Sequence, residues 1–147
     1  MKQEKIIVLG DIHGNFSWLN KFIAQENPDI ILQCGDMGYY PTWSLYIEIV
    51  SPNTKIYWCD GNHEDYNAIN KLLQTNPRGP IEIQPNVFYM PRGEVLKLSN
   101  NRNVLFAGGA YSIDKHLRIE GVSWFPEEIL TEKEIFNYFP DPKSISK

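Results

Sequence analysis

Ile6-Ile7-Val8-Leu9-Gly10-Asp11-Ile12-His13-Gly14 runs four branched apolar residues into a glycine and two ligand-type side chains. A short apolar run ended by Gly predicts a strand buried on both faces. The design recurs twice. Asp29-Ile30-Ile31-Leu32-Gln33-Cys34 leads into Gly35-Asp36-Met37-Gly38, and Lys55-Ile56-Tyr57-Trp58-Cys59 leads into Gly61-Asn62-His63-Glu64. Between the first two, Phe16, Leu19, Phe22 and Ile23 stand at helical spacing over Asn15 to Glu26, ahead of Pro28. Leu45, Tyr46 and Ile49 predict a second helix closed by Ser51-Pro52-Asn53, and about Glu64 to Leu73 a third. Strand and helix alternating in this way predict βαβ units on a parallel sheet.

The second half has another character. Pro77, Pro80, Pro85 and Pro91 separate short apolar segments, Val87 to Met90, Val95 to Leu98 and Val104 to Ala107. Ser99-Asn100-Asn101 joins the last two as a hairpin, and a change of sheet is expected near residue 80. Thr131-Glu132-Lys133-Glu134 is a capping box ahead of Ile135, Phe136 and Phe139. Pro140 and Pro142 then end the order. The expected organisation is one domain over residues 1–140 and a polar tail over 141–147.

Composition supports a single core: 147 residues, 42% of them hydrophobic and 13% aromatic. A net charge of −4 and a pI near 5.3 argue against nucleic acid or membrane held by bulk charge. A phosphate-bearing substrate, a nucleic acid included, remains compatible, because bound metal reverses the local sign. No apolar run approaches the ~20 residues of a membrane span. Met1 to Lys5 lacks the apolar core of a signal peptide, and two cysteines cannot build a disulfide scaffold. The expected location is cytoplasmic.

In a parallel α/β sheet, ligands gather beyond the carboxyl ends of the strands. The three Gly-bounded segments should therefore converge on one edge. Asp and His ligate metals and Asn offers a neutral carbonyl oxygen, a mixed set that suits Mn²⁺, Fe or Zn²⁺. A carboxylate shared between two ions ~3.5–4 Å apart would serve a phosphoryl displacement.

Asp11-x-His13, Gly35-Asp36 and Gly61-Asn62-His63-Glu64, in this order and spacing, resemble the calcineurin-like metallophosphoesterases. Gly108 to Lys115, with Arg118, Trp124 and Glu127, is similar to a bacterial and phage branch of that family, and the resemblance runs from about Ile6 to Phe139. It implies an α/β sandwich of two sheets flanked by helices, and metal-dependent hydrolysis of phosphomonoesters or phosphodiesters through a metal-activated water. It also assigns roles. Asp11 and His13 would hold the first metal, Asp36 would bridge, Asn62 would hold the second, and His63 would assist at the scissile phosphate. Asp114 and Arg118 are the substrate-binding candidates.

The family pattern continues with a lone His and a Gly-His-x-His segment. The three histidines here are His13, His63 and His116, and the surroundings of His116 match neither motif. The chain therefore reads as lacking the C-terminal histidine motifs and part of the second sheet. One of the two family metal sites, with Mn²⁺ the first expectation, should be firmly held. A rival reading is a catalytically silent or fragmentary homologue that binds a phosphorylated ligand or a protein. The incomplete sheet predicts a homo-oligomer formed through the second half.

Plainer readings stand beside these. Asp11 and Asp36 also suit turns and helix caps. His116 reads as a surface residue, and Cys34 and Cys59 as small buried hydrophobes. Tyr39, Tyr40 and Trp43 could line a cleft or form an exposed part of the core. Arg92 could meet phosphate or be an ordinary exposed arginine.

Overall fold

The computed structural model describes residues 3–43, 47–50 and 52–138. Its main sheet has five strands in the order β1 (Ile6–Leu9), β2 (Ile30–Gln33), β3 (Lys55–Trp58), β5 (Val87–Tyr89) and β4 (Ile81–Gln84). The first four in that order are parallel, and β4 closes the far edge antiparallel to β5. Strands β6 (Val95–Lys97) and β7 (Asn103–Leu105) form a separate antiparallel hairpin. Helices α1 (Phe16–Glu26) and α2 (Tyr66–Thr75) cross the main sheet, and α3 (Glu132–Tyr138) lies late in the chain.

Registration explains why the central strands are apolar without interruption. One row, Ile7, Ile31, Ile56 and Val87, runs across four strands, and the next row is Val8, Leu32, Tyr57 and Phe88. Side chains alternate between faces. Ile31, Ile56 and Val87 pack with Leu19 and Ile23 of α1 and Ile69 of α2. Leu32, Tyr57 and Phe88 pack instead with Leu96, Leu98, Val104 and Phe106 around the hairpin. Each such buried aliphatic side chain contributes about 1.5–3 kcal/mol. The result is the expected α/β arrangement of two sheets with flanking helices, the second sheet being small.

The expectation of full burial fails at β1. Val8 is 64% exposed: Ile6 of the same edge strand packs against the cluster around the hairpin, and Val8 does not. The predicted change of sheet near residue 80 also moves. β4, absent from the sequence reading, and β5 both belong to the main sheet, so the change follows Met90. The apolar triplet of β5 places Val87 and Tyr89 on the helix face and Phe88 on the other, which is why it sits inside a two-faced sheet.

The helix predicted from Leu45 to Ile49 is not found in residues 47–50; Leu45, Tyr46 and Ser51 lie outside the described residues. Neighbouring side chains there take the place of helical bonds. Asn20 Nδ2 donates to the Glu48 carbonyl at 2.8 Å, and the Val50 N–H donates to Asn20 Oδ1 at 2.9 Å. Gln84 Nε2 donates to the Ile49 carbonyl at 2.9 Å, while Ile49 alone is buried. The capping box forms as predicted: the Glu134 N–H donates to Thr131 Oγ1 at 3.2 Å, and the Thr131 N–H to Glu134 Oε2 at 2.8 Å. Phe139, Pro140, Pro142 and the tail lie outside the described residues.

Candidate metal centre

The three parallel strands β1, β2 and β3 end side by side, so the loops that follow them meet. The N–H groups of Ile12 and His13 both donate to the Asp36 carbonyl, at 3.1 and 2.8 Å, and the Gly14 N–H donates to the Met37 carbonyl at 3.1 Å. The third loop docks on the second through the His63 N–H, which donates to Asp36 Oδ1 at 2.9 Å. Two glycines permit this closeness. A Cβ on Gly38 would collide with the Gly14 backbone, and one on Gly61 with the Asp36 carboxylate. Asp36 itself holds φ +54° and His13 φ +47°. Left-handed non-glycine residues cost about 1–3 kcal/mol each, a strain that persists where surrounding bonds over-determine the backbone.

Asp36 is 7% exposed and stands at the centre. Its Oδ2 lies 3.6 Å from His13 Nε2, and the rings of His13 and His63 meet edge to face with centroids 5.0 Å apart. Ligand atoms of His13, Asp36 and His63 all lie within 4.8 Å of one another. Of the residues expected as ligands, His13 and Asp36 are thus brought together, joined by His63, the expected catalytic assistant. Asp11 is exposed on the first loop and is not one of this trio. Asn62 is half-buried and donates through Nδ2 to Ser112 Oγ at 3.0 Å.

Glu64 supports the centre from below. Its carboxyl is 2% exposed and accepts from the Met37 N–H at 2.6 Å and the Tyr39 N–H at 3.0 Å, which fixes the loop carrying Asp36. Burial, together with the carboxylates of Asp36 and Asp60, outweighs those two donors and pushes its pKa up to about 8. The Tyr40 hydroxyl donates to the His63 carbonyl at 2.5 Å.

Arg118 reaches the same group from the later loop. Its Nη2 lies 3.0 Å from His63 Nε2, and its Nε pairs with Asp114 Oδ1 at 2.9 Å. A guanidinium only donates, so this contact assigns His63 Nε2 as an acceptor and leaves the ring proton on Nδ1. The Arg118 hydrogen bond holds the Asp114 carboxyl below its ordinary pKa. Tyr40, Trp43, Asn62, His63, Arg118 and Val122 line a cleft of about 400 Å³ here. Tyr39 turns away and packs on Trp58, with ring centroids 5.5 Å apart. The open question over these aromatics therefore divides, Tyr40 and Trp43 taking the cleft and Tyr39 the core.

Two corrections concern polar residues. Cys34 is exposed, whereas Cys59 is partly buried and packs against the cluster around the hairpin. Arg92 is not exposed and is committed to an internal ion pair. Its Nη2 pairs with Asp60 Oδ2 at 2.6 Å, with side chains 10% and 0% exposed. Asp60 also accepts from the Tyr66 and Tyr89 hydroxyls at 3.0 and 2.9 Å, and both phenols are held protonated by burial and by the Asp60 charge. Sequence reading missed Asp60 and also Glu128, which is buried beneath Ser112 and Trp124. The partners of Asp60 come from other elements, so no local spacing exposes them. Trp124 and Glu128, four positions apart, were the one local signal.

Imidazoles and a carboxylate meeting at parallel strand ends form a donor set suited to a divalent metal ion. The family model for calcineurin-like phosphoesterases matches residues 4–145, and the chain belongs to that family. No curated protein and no solved structure gives a match. Metal-dependent hydrolysis of phosphoesters is the chemistry of that family. Among the described residues, no helix is long and apolar enough to cross a membrane.

Proposed function

We propose that this chain hydrolyses phosphomonoesters or phosphodiesters with a divalent ion at its strand-end centre, Mn²⁺ first and Fe or Zn²⁺ next. The observation that carries this reading is the convergence of His13, Asp36 and His63 donor atoms within 4.8 Å. Two imidazoles and a carboxylate fit a borderline first-row ion better than the all-oxygen sets of Ca²⁺ or Mg²⁺. In this reading Asp36 is the shared ligand, with Asp11 and His13 on one side and Asn62 on the other. A divalent ion bound there supplies Lewis acidity toward phosphoryl oxygens and acidifies a water.

The chain's own residues would do the rest. Arg118, resting on His63 and Asp114, is placed to transfer its guanidinium to a phosphate, which it can hold through two parallel hydrogen bonds. Its departure would uncover His63 Nε2, which would take up a proton from solvent and pass it to the leaving oxygen. Asp114 keeps Arg118 aligned throughout. Trp43 and Val122, 56% and 42% exposed, offer an apolar wall to the organic part of the ester.

The presence of His63 in the donor trio favours a second reading, in which it is itself a ligand. Metal analysis and hydrolysis of an aryl phosphate and its diester under added Mn²⁺ separate the two. Asp36→Asn should lose both metal and turnover. His63→Ala should keep metal, one tightly bound ion per chain at most, and lose most of the rate. Equal metal loss in both variants makes His63 a ligand. Metal or phosphate binding without hydrolysis supports a catalytically silent homologue. Val95, 46% exposed on the hairpin, motivates the further proposal of a homo-oligomer through the second half, which a monomeric mass in light scattering would exclude.

A further inference from the structure

Asn62 has two chemically different ends, and only its carbonyl can face a cation. Its amide nitrogen donates to Ser112 Oγ at 3.0 Å. Ser112, 1% exposed, donates in turn from Oγ to Glu128 Oε2 at 2.9 Å and from its backbone N–H to Oε1 at 2.7 Å. Trp124 Nε1 adds a third donor, 2.9 Å from Oε1. Glu128 has no exposed surface, and the Ala110 N–H binds its carbonyl at 2.9 Å, so the carboxylate is anchored at both ends.

A serine hydroxyl has one proton. Three donors converge on the Glu128 carboxylate, so the Ser112 proton is committed there and Oγ faces Asn62 as an acceptor. If the Asn62 amide were turned over, its Oδ1 would meet Ser112 Oγ with no proton between two oxygens. A buried contact of that kind forfeits a hydrogen bond and adds repulsion. We infer that Ser112 and Glu128 are positioning residues that lock the Asn62 amide with its nitrogen inward, so that Oδ1 is presented as a neutral ligand to the divalent ion. The ligand role rests on the metal-site reading above; the orientation rests on the hydrogen bonds alone.

Glu128→Gln reverses the network with almost no change of shape. Its Oε1 must keep the N–H donors of Ser112 and Trp124, so its amide nitrogen faces Ser112 Oγ and donates to it. The hydroxyl proton then has no acceptor unless Asn62 turns its carbonyl inward, away from the metal. In the full chain without metal, NMR should show the Asn62 side-chain amide protons close to the Ser112 β-protons, and Glu128→Gln should abolish that contact. By calorimetry, Glu128→Gln should bind Mn²⁺ about 10–100-fold more weakly, the loss typical of removing an outer partner of a ligand. Trp124→Phe removes a donor without redirecting the Ser112 proton, and it should keep the parent affinity and the NMR contact. If Glu128→Gln does not fold, Ser112→Ala carries the test, with a smaller loss of affinity because the lock is removed and not reversed. A missing amide contact in the parent chain overturns the orientation. Parent-like affinity in Glu128→Gln, or in Ser112→Ala where that variant carries the test, overturns the ligand-positioning role while leaving the metal site standing. A parent chain that binds no Mn²⁺ overturns the metal-site reading and the ligand role together, and the NMR contact still decides the orientation.

Discussion

Asp60 and Glu128 are both fully buried carboxylates, and both tie the segment after β7 to the strand ends of the main sheet, yet with different partners. Asp60 faces a cation: Arg92 binds it through Nε and Nη2, and the same Nη2 reaches the Glu127 carbonyl at 2.7 Å. The backbone joins in, as the Gly109 N–H donates to the Asp60 carbonyl at 2.7 Å. Glu128 is held by the Ser112 N–H, the Ser112 hydroxyl and the Trp124 indole, all neutral donors. A buried ion pair tolerates the loss of one neutral donor but not of its counter-charge. A buried carboxylate held by neutral donors depends on each of them, and passes a donor–acceptor direction outward to Asn62. The first arrangement fastens the loop; the second also orients a side chain in the candidate site.

The largest expected effect breaks the Asp60 side of this comparison. Arg92→Ala leaves a buried carboxylate without its cation, which costs about 3–5 kcal/mol. In a domain whose total stability is about 5–15 kcal/mol, that loss should appear as a large fall in the urea midpoint with little change in slope. A fall worth under about 1 kcal/mol would show that water reaches Asp60 and that the pair is not an internal clamp.

Next in size comes a pair of substitutions that sharpens the contrast. Tyr89→Phe removes one neutral donor from Asp60, which keeps Arg92 and Tyr66. Trp124→Phe removes one of three donors from Glu128, which has no cation among the bonds that hold it. Hydrogen bonds to a charged group are worth about 1.5–3 kcal/mol, and the Trp124 change should lie near the top of that range and the Tyr89 change at or below its foot. Denaturant melts of both variants decide it. The reverse order would mean that the counter-charge contributes less than the phenols.

The comparison also marks what sequence could reveal. The parallel strands, the three strand-end loops and the convergence of His13, Asp36 and His63 follow from local pattern, since apolar runs ending in Gly carry the register and the ligands with them. The capping box of α3 was legible for the same reason: its bonds close within three residues. What was not legible is set by distant partners. Asp60 meets Arg92 across 32 positions, and Asn62 meets Ser112 across 50. Residues 47–50 escape the predicted helix because Asn20 and Gln84 supply their bonds, a tertiary override of local spacing. Val8 is exposed while Ile6 of the same strand packs on the hairpin cluster, a difference the β1 sequence does not encode.

A smaller effect reports on the Asp60 clamp through its neighbour. Burial first, and then the Asp60 charge, push the Cys59 thiol up to about 12, while Cys34 is exposed. The thiolate is the reactive form, so at pH 8 a thiol reagent should modify exposed Cys34, whose thiol is itself raised by burial and by the Asp11 charge, faster than Cys59. Arg92→Ala should accelerate Cys59 labelling selectively. Equal rates for the two cysteines in the parent chain would overturn this assignment.

The smallest effect lies in a helix closed by its own sequence. In α3 the Thr131 N–H and hydroxyl both donate to Glu134 Oε2, at 2.8 and 2.7 Å, and these bonds hold the Glu134 carboxyl below its ordinary value of 4.5. A carboxyl with a depressed folded pKa adds stability above its unfolded pKa and loses it as pH falls through the folded one. The helix should therefore keep its cap at neutral pH and begin to fray only below about pH 4.5, the ordinary carboxylate value from which Glu134 is depressed. The group is largely solvated, so the cap is worth about 0.5–1 kcal/mol, the lower part of the usual range. Amide hydrogen exchange across Glu132–Tyr138 should show protection falling with acid, and Glu134→Gln should flatten that dependence while leaving the main sheet unchanged. Protection that falls equally in parent and Glu134→Gln would assign the acid response of α3 to other carboxylates, and would leave the capping box a geometric contact without electrostatic weight.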